Sequence, residues 1–266
     1  MTPKPPKPPK TSGDSDIELS RMSLADHIAE LRIRLIKALL GLAVGAVVCL
    51  IFGRGILNFL RTPVLAALQQ YEHPANLKEL VPVEFFSVYV HVGLICGLIL
   101  ASPWVFYQIW AFIAAGLYKR ERRMALLFGP CSLLLFLAGV ACMFFAVLPL
   151  TLGFLLRFSQ GMSEPSFTWA GYMTMVMNFG LAFGIGFQTP LVVIFLAVSG
   201  LVPLDQLRKV RRYIIVAVLT AAAILTPPDW QSQILLAVPM LGLYELGLAV
   251  AWLMTRKKNA PVEDSE

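Results

Sequence analysis

The chain has 266 residues, of which 58% are hydrophobic and 14% charged, with a mean hydropathy of +0.72. A soluble domain carries about 25% charged residues, and the apolar excess here is more than a core of this size hides from water. Soluble enzyme, nucleic-acid binder and disordered scaffold are excluded, and despite a net charge of +6 the chain reads as an integral membrane protein.

Residues 1–20 are rich in Pro, Lys and Ser and hold no apolar run. They match neither a secretory signal nor a transit peptide and read as a disordered basic tail. Ser23-Leu24-Ala25-Asp26 reads as a capping box opening a helix. Leu24, Ile28, Leu31 and Leu35 form its apolar stripe; Asp26 and Glu30 lie on the polar face, ahead of Arg34 and Lys37. An i,i+4 ion pair between Glu30 and Arg34 is the simplest role for that acid, worth a few tenths of a kcal/mol.

Six apolar segments follow, over about Leu35–Phe52, Phe85–Ile113, Met124–Leu150, Trp169–Val198, Tyr213–Leu225 and Ile234–Trp252. A span needs about 20 residues. Segments two to four allow tilt or kinks, with Pro103 and Pro190 as kink sites because each lacks a backbone donor. The fifth is short, reaching about 20 Å into a core about 30 Å thick, which predicts local bilayer thinning. Thr226-Pro227-Pro228-Asp229 joins it to the sixth as an antiparallel hairpin, with Asp229 as N-cap. Between the first two segments, Ile56 to Leu68 is amphipathic, broken at Pro63, and predicts a cap on the outer surface. Residues 21–255 thus form one six-helix membrane domain, followed by a tail over 256–266.

Charge sets the orientation. With six spans, 18 of the 22 Lys and Arg fall on the side of the termini, and only Arg54, Arg61, Lys78 and Arg157 fall opposite. The positive-inside rule therefore predicts that both termini are cytoplasmic.

No HExxH, GxSxG or P-loop occurs, and Cys49, Cys96, Cys131 and Cys142 sit in apolar stretches without metal-ligand spacing. No metal or cofactor is predicted. His27, His73 and His91 are scattered over different segments. Glu245 is the one acid well inside an apolar segment. It is either a neutral carboxyl hydrogen-bonded within the bundle or a site for a polar partner helix. Gln188, two residues before Pro190, is placed to satisfy a carbonyl freed by that proline. Glu121 stands within Lys119-Arg120-Glu121-Arg122-Arg123, where a solvated intrahelical partner is the simplest role.

The stretches SLADHIAELRIRL (23–35), SPWVFYQIWAFIAAGLYKRERR (102–123), FGIGFQTP (183–190), LRKVRRY (207–213) and LTPPDWQSQILLAVP (225–239) together resemble the TatC family. TatC is the receptor and core subunit of the twin-arginine protein translocase. The resemblance covers about residues 22–254. It implies an all-α, polytopic, cup-like bundle of six helices in a prokaryotic cytoplasmic membrane. It also implies a non-enzymatic role, binding the paired arginines of signal peptides on folded export substrates.

The same resemblance implies that Glu30 and Glu121 supply the carboxylates of that site, with His27, Arg32 and Phe112 nearby. A carboxylate accepts the planar guanidinium fork in two parallel bonds, which lysine cannot reproduce. The implied partners are the single-span TatA and TatB proteins, with TatB near the fifth and sixth segments, and further TatC copies. The implied energy source is the protonmotive force. Pro63, Pro103 and Pro190 match bend or cap positions, and Glu245 an acidic position in the last helix. Many members carry Glu where this chain has Gln188. The rival class is a proton-coupled secondary transporter acting through Glu245; an intramembrane protease lacks a nucleophile–base motif.

Overall fold

A computed structural model describes residues 24–74, 76–116, 119–159, 166–200, 202–225 and 230–258. Among these the architecture is all-α, with one isolated bridge between Lys78 and Thr168.

Helix α1 runs unbroken from Leu24 to Ile51, so the amphipathic start and the first apolar segment are one rod. Its facing reverses the sequence expectation. Ile28 is 66% exposed and Leu31 and Leu35 are also exposed, while His27, Glu30 and Arg34 are half-buried toward α4 (Pro82–Gly116). Lipid solvates an apolar stripe, so a membrane helix keeps its polar groups for protein contacts.

Higher up, α1 and α4 meet through two facing GxxxG stretches, Gly41–Gly45 and Gly93–Gly97. A methyl on Gly45 would lie 2.6 Å from the Gly97 oxygen, and one on Gly97 2.5 Å from the Ala46 Cα. Only residues without side chains allow backbones this close. Pro103 sits inside α4 without ending it. The Ser102 hydroxyl donates to the Ile99 oxygen at 2.7 Å, taking the carbonyl that the missing Pro103 N–H leaves free.

The predicted cap is two short helices, α2 (Gly53–Leu60) and α3 (Thr62–Gln70). They part at Arg61, and Pro63 lies in the first turn of α3, where no helical donor is lost. Their inner face is core: Leu57, Leu60, Val64 and Leu68 pack with Leu148, Leu152, Leu156 and Tyr172. The Tyr172 hydroxyl donates to the Leu60 oxygen at 2.8 Å.

The third apolar segment extends further than its composition suggests. Helix α5 (Lys119–Cys142) passes through a π-turn at Met143–Val147 into α6 (Leu148–Ser159). Pro149 follows that turn, and the wider ring relieves the clash of proline with the carbonyl four residues back.

The fourth segment is broken. Helix α7 (Trp169–Gly186) stops at Phe187, and α8 (Thr189–Val198) starts after Gln188 with Pro190 in its first turn. Thr168 caps α7, its hydroxyl accepting from the Gly171 N–H. Glu84 then ties α7 to α4, one oxygen accepting from Ala170 N–H and the other from Leu80 N–H, each at 3.0 Å.

Helices α9 (Leu204–Leu225) and α10 (Trp230–Lys258) form the antiparallel pair. Gln233 Nε2 donates to the Leu219 oxygen and the Tyr244 hydroxyl to the Leu207 oxygen, pinning the two ends. The proposed cap Asp229 lies outside the described residues. Among the described residues five helical stretches are long and apolar enough to cross a membrane: Asp26–Ile51, Pro82–Gly116, Leu127–Ser159, Trp169–Val198 and Gln233–Met254. Helix α9 is not among them, because its first half carries Arg208, Lys209, Arg211 and Arg212. The chain is a multi-pass membrane protein, and its four cysteines are unpaired.

Candidate functional site

The start of α1 and the end of α4 lie side by side. The His27 ring stacks on Phe112 with centroids 4.5 Å apart and planes 21° apart. Gly116, four residues beyond Phe112, leaves room for the ring, since a methyl there would sit 3.1 Å from His27 Cε1. One turn on, Glu30 Oε1 accepts from Arg34, at 2.8 Å from Nε and 2.6 Å from Nη2. The i,i+4 pair read from the sequence is therefore present. Arg34 Nη1 also reaches Gln108 Oε1 at 3.5 Å, a long contact with an α4 side chain that is only 3% exposed.

Two polar atoms are left over. Glu30 Oε2 and His27 Nδ1 are both buried without a hydrogen-bond partner, and the Glu30 side chain is 18% exposed. A buried carboxylate oxygen without a donor is costly, and it is an acceptor waiting for an N–H. His27, Glu30 and Arg34 follow i, i+3, i+7 spacing and so share one face of α1. Arg32 is exposed and two residues beyond Glu30, about 200° round the helix from it. Glu121 belongs to the first turn of α5, directly after α4, and its side chain lies outside the described residues.

Gln108 was missed from sequence. A lone amide within Tyr107-Gln108-Ile109-Trp110 was the available signal, because a polar side chain in an apolar helix faces protein.

The membrane polar residues have partners other than those expected. Gln188 Nε2 donates to the Ser132 oxygen on α5 at 2.9 Å, rather than to a carbonyl freed by Pro190. The Ser132 hydroxyl accepts from Trp110 Nε1 at 2.7 Å, so α4, α5 and the α7–α8 break share one buried network. Glu245 pairs with an arginine of the same chain, an ion pair that the sequence reading did not include. Its Oε1 lies 2.6 Å from Arg211 Nε across the α9–α10 pair, with side chains 44% and 57% exposed. His91 is exposed on α4.

The family model for Sec-independent protein translocase protein (TatC) matches residues 26–239. The chain belongs to the TatC family. It is 37% identical to the TatC of Koribacter versatilis, over 93% of each chain. It is 36% identical to the Aquifex aeolicus TatC, over 90% of this chain and 98% of that one. Against the TatC of Escherichia coli K12 identity is 35% over 85% and 86%. A crystal structure described as the twin-arginine translocase receptor TatC superposes with TM-score 0.79 at 34% identity, covering 86% of this chain and all of the other. The role of the family is transport by the Sec-independent protein translocase.

Proposed function

We propose that the chain is the signal-peptide receptor and core of its translocase, holding the paired arginines of export precursors at the joined ends of α1, α4 and α5. The observation that carries the reading is the buried, unpartnered Glu30 Oε2, three residues along α1 from His27, whose Nδ1 is equally unpartnered. Arg34 occupies one Glu30 oxygen and fixes its rotamer; the other accepts a guanidinium N–H in a charge-assisted bond. Glu121, on a separate helix, takes the second arginine. Phe112 and Gly116 hold the His27 ring against the site wall.

In this reading both termini are cytoplasmic, the membrane is the inner membrane of a prokaryote, and TatA and TatB complete the machine. Several copies of the chain assemble, and the protonmotive force drives transport. The bias of 18 of the 22 Lys and Arg toward the side of the termini supports it, as does the likeness to a crystal structure described as the twin-arginine translocase receptor. Export through Glu245 as a proton carrier has less behind it, since that carboxylate is spent on Arg211.

The test is binding of an Arg-Arg signal peptide, with Lys-Lys as control, to the full chain in nanodiscs with and without TatB. Preference for Arg-Arg that is lost in Glu30→Gln and in Glu121→Gln supports the assignment. Equal binding of both peptides in the presence of TatB overturns it.

A further inference from the structure

A cavity of about 630 Å³ opens at the end of α4 opposite the His27–Glu30 site. Its polar wall is one stripe of the cap: Arg54, Asn58 and Arg61 follow i, i+4, i+7 spacing along α2 and its C-terminal residue. Its apolar wall is aromatic, from Phe85 and Phe86 in the first turns of α4 and Trp169 at the start of α7. Phe85 meets Trp169 edge-on at 5.4 Å.

Three features define what this cavity takes. Among the described residues neither Arg54 nor Arg61 has an ion-pair partner, so up to ten guanidinium N–H donors face the cavity or solvent. The acid on the adjoining wall forms no ion pair with either arginine: the Glu84 oxygens accept instead from the backbone N–H groups of Leu80 and Ala170. Finally, α4 and α7 are spanning helices that begin here, so the cavity lies at the membrane–water boundary, where aromatic rings and lipid headgroups meet. Two of the four basic residues that the charge count assigns to this side converge on it, against the overall bias. Arg157, another of the four, is used up locally: it donates to the Tyr71 hydroxyl and lies over its ring.

We infer that this cavity is a binding site for the phosphodiester headgroup of an anionic phospholipid in the outer leaflet. Arg54 and Arg61 hold the phosphate, Asn58 takes a headgroup hydroxyl, and the acyl chains leave over Phe85 and Phe86 into the bilayer. Bidentate guanidinium recognition of phosphate is the chemistry at work. The lipid would fasten the cap to the bilayer, independently of whether the opposite end binds signal peptides.

The experiment is native mass spectrometry of the full-length chain released from micelles with equal phosphatidylglycerol and phosphatidylcholine. The wild-type chain should retain phosphatidylglycerol preferentially. Arg54→Gln and Arg61→Gln should each cut that preference about fivefold, as expected for one basic residue at a lipid surface. Raising salt from 50 to 500 mM on the unmodified chain should lower it too, a measurement that needs no variant to fold. Equal retention of both lipids, or a preference that neither substitution nor salt alters, would overturn the proposal. Millimolar inorganic phosphate displacing the lipid completely would also overturn it, assigning the site to a free anion.

Discussion

Gln188 reaches from the break between α7 and α8 to the backbone oxygen of Ser132 on α5, donating its side-chain amide at 2.9 Å. The break frees the side chain, and Ser132 in turn holds Trp110, so three helices are registered through one amide. Gln188→Leu should therefore cost about 1 kcal/mol, near the upper range for a hydrogen bond within a membrane protein. Gln188→Glu sets two acceptors against each other when ionised and restores a donor when protonated. Its thermal midpoint in detergent should fall further below wild type at pH 8 than at pH 5. A midpoint that is unchanged at both pH values would remove Gln188 from the helix register.

The α1–α4 seam admits no side chain at Gly97, where a methyl lands 2.5 Å from the Ala46 backbone. Gly97→Ala should destabilise by about 1–3 kcal/mol through overpacking, and Gly97→Val should prevent accumulation of folded protein. Gly242 in α10 has open space within 4 Å. Gly242→Ala should be neutral or stabilising by up to about 1 kcal/mol from helix propensity. Thermal melts of the alanine pair in one detergent measure the contrast.

Arg211 and Glu245 compensate each other across the last helix pair. Removing one leaves a lone charge beside the bilayer, whereas removing both leaves none. The single variants Arg211→Gln and Glu245→Gln should each melt below wild type, with the double variant recovering most of the loss. Export by the double variant should persist. Its complete loss, with assembly intact, would revive proton transfer through Glu245.

Neighbouring arginines on α1 should behave differently. Arg34 orients Glu30 and touches Gln108, while Arg32 is exposed on another face. Arg32→Gln should leave stability within about 0.5 kcal/mol of wild type and keep the Arg-Arg over Lys-Lys preference of peptide binding. Arg34→Gln should lower that preference. Peptide titrations of the two variants, side by side, check the order.

Five of the six spans, the hairpin, the cap helices and the break at Pro190 were legible because apolar runs, turn residues and Pro carry their physics locally. Helix facing was not. The stripe Ile28, Leu31 and Leu35 looks like a core face by the logic of water-soluble proteins, yet lipid reverses that logic and turns His27 and Glu30 inward. The Gln188 and Glu245 partners were hidden for a different reason. Their bonds reach to Ser132 and Arg211, 56 and 34 residues away in the chain, and nothing in the local sequence encodes such pairings. The His27–Phe112–Glu30 grouping was reachable only through family resemblance, since α1 and α4 come together through glycines that the apolar pattern does not single out.

The π-turn at Met143–Val147 acts as a gear between two interfaces. Before it, Ser132 and Phe136 are buried within the bundle; after it, Leu148, Leu152 and Leu156 lock into the cap. One extra residue per turn offsets the second stripe by about 100° relative to an unbroken helix. Deleting a single residue there would keep a continuous rod yet swing its upper half away from α2 and α3. The angular setting of the cap is thus stored in one surplus residue, and it can be retuned without altering either contact face.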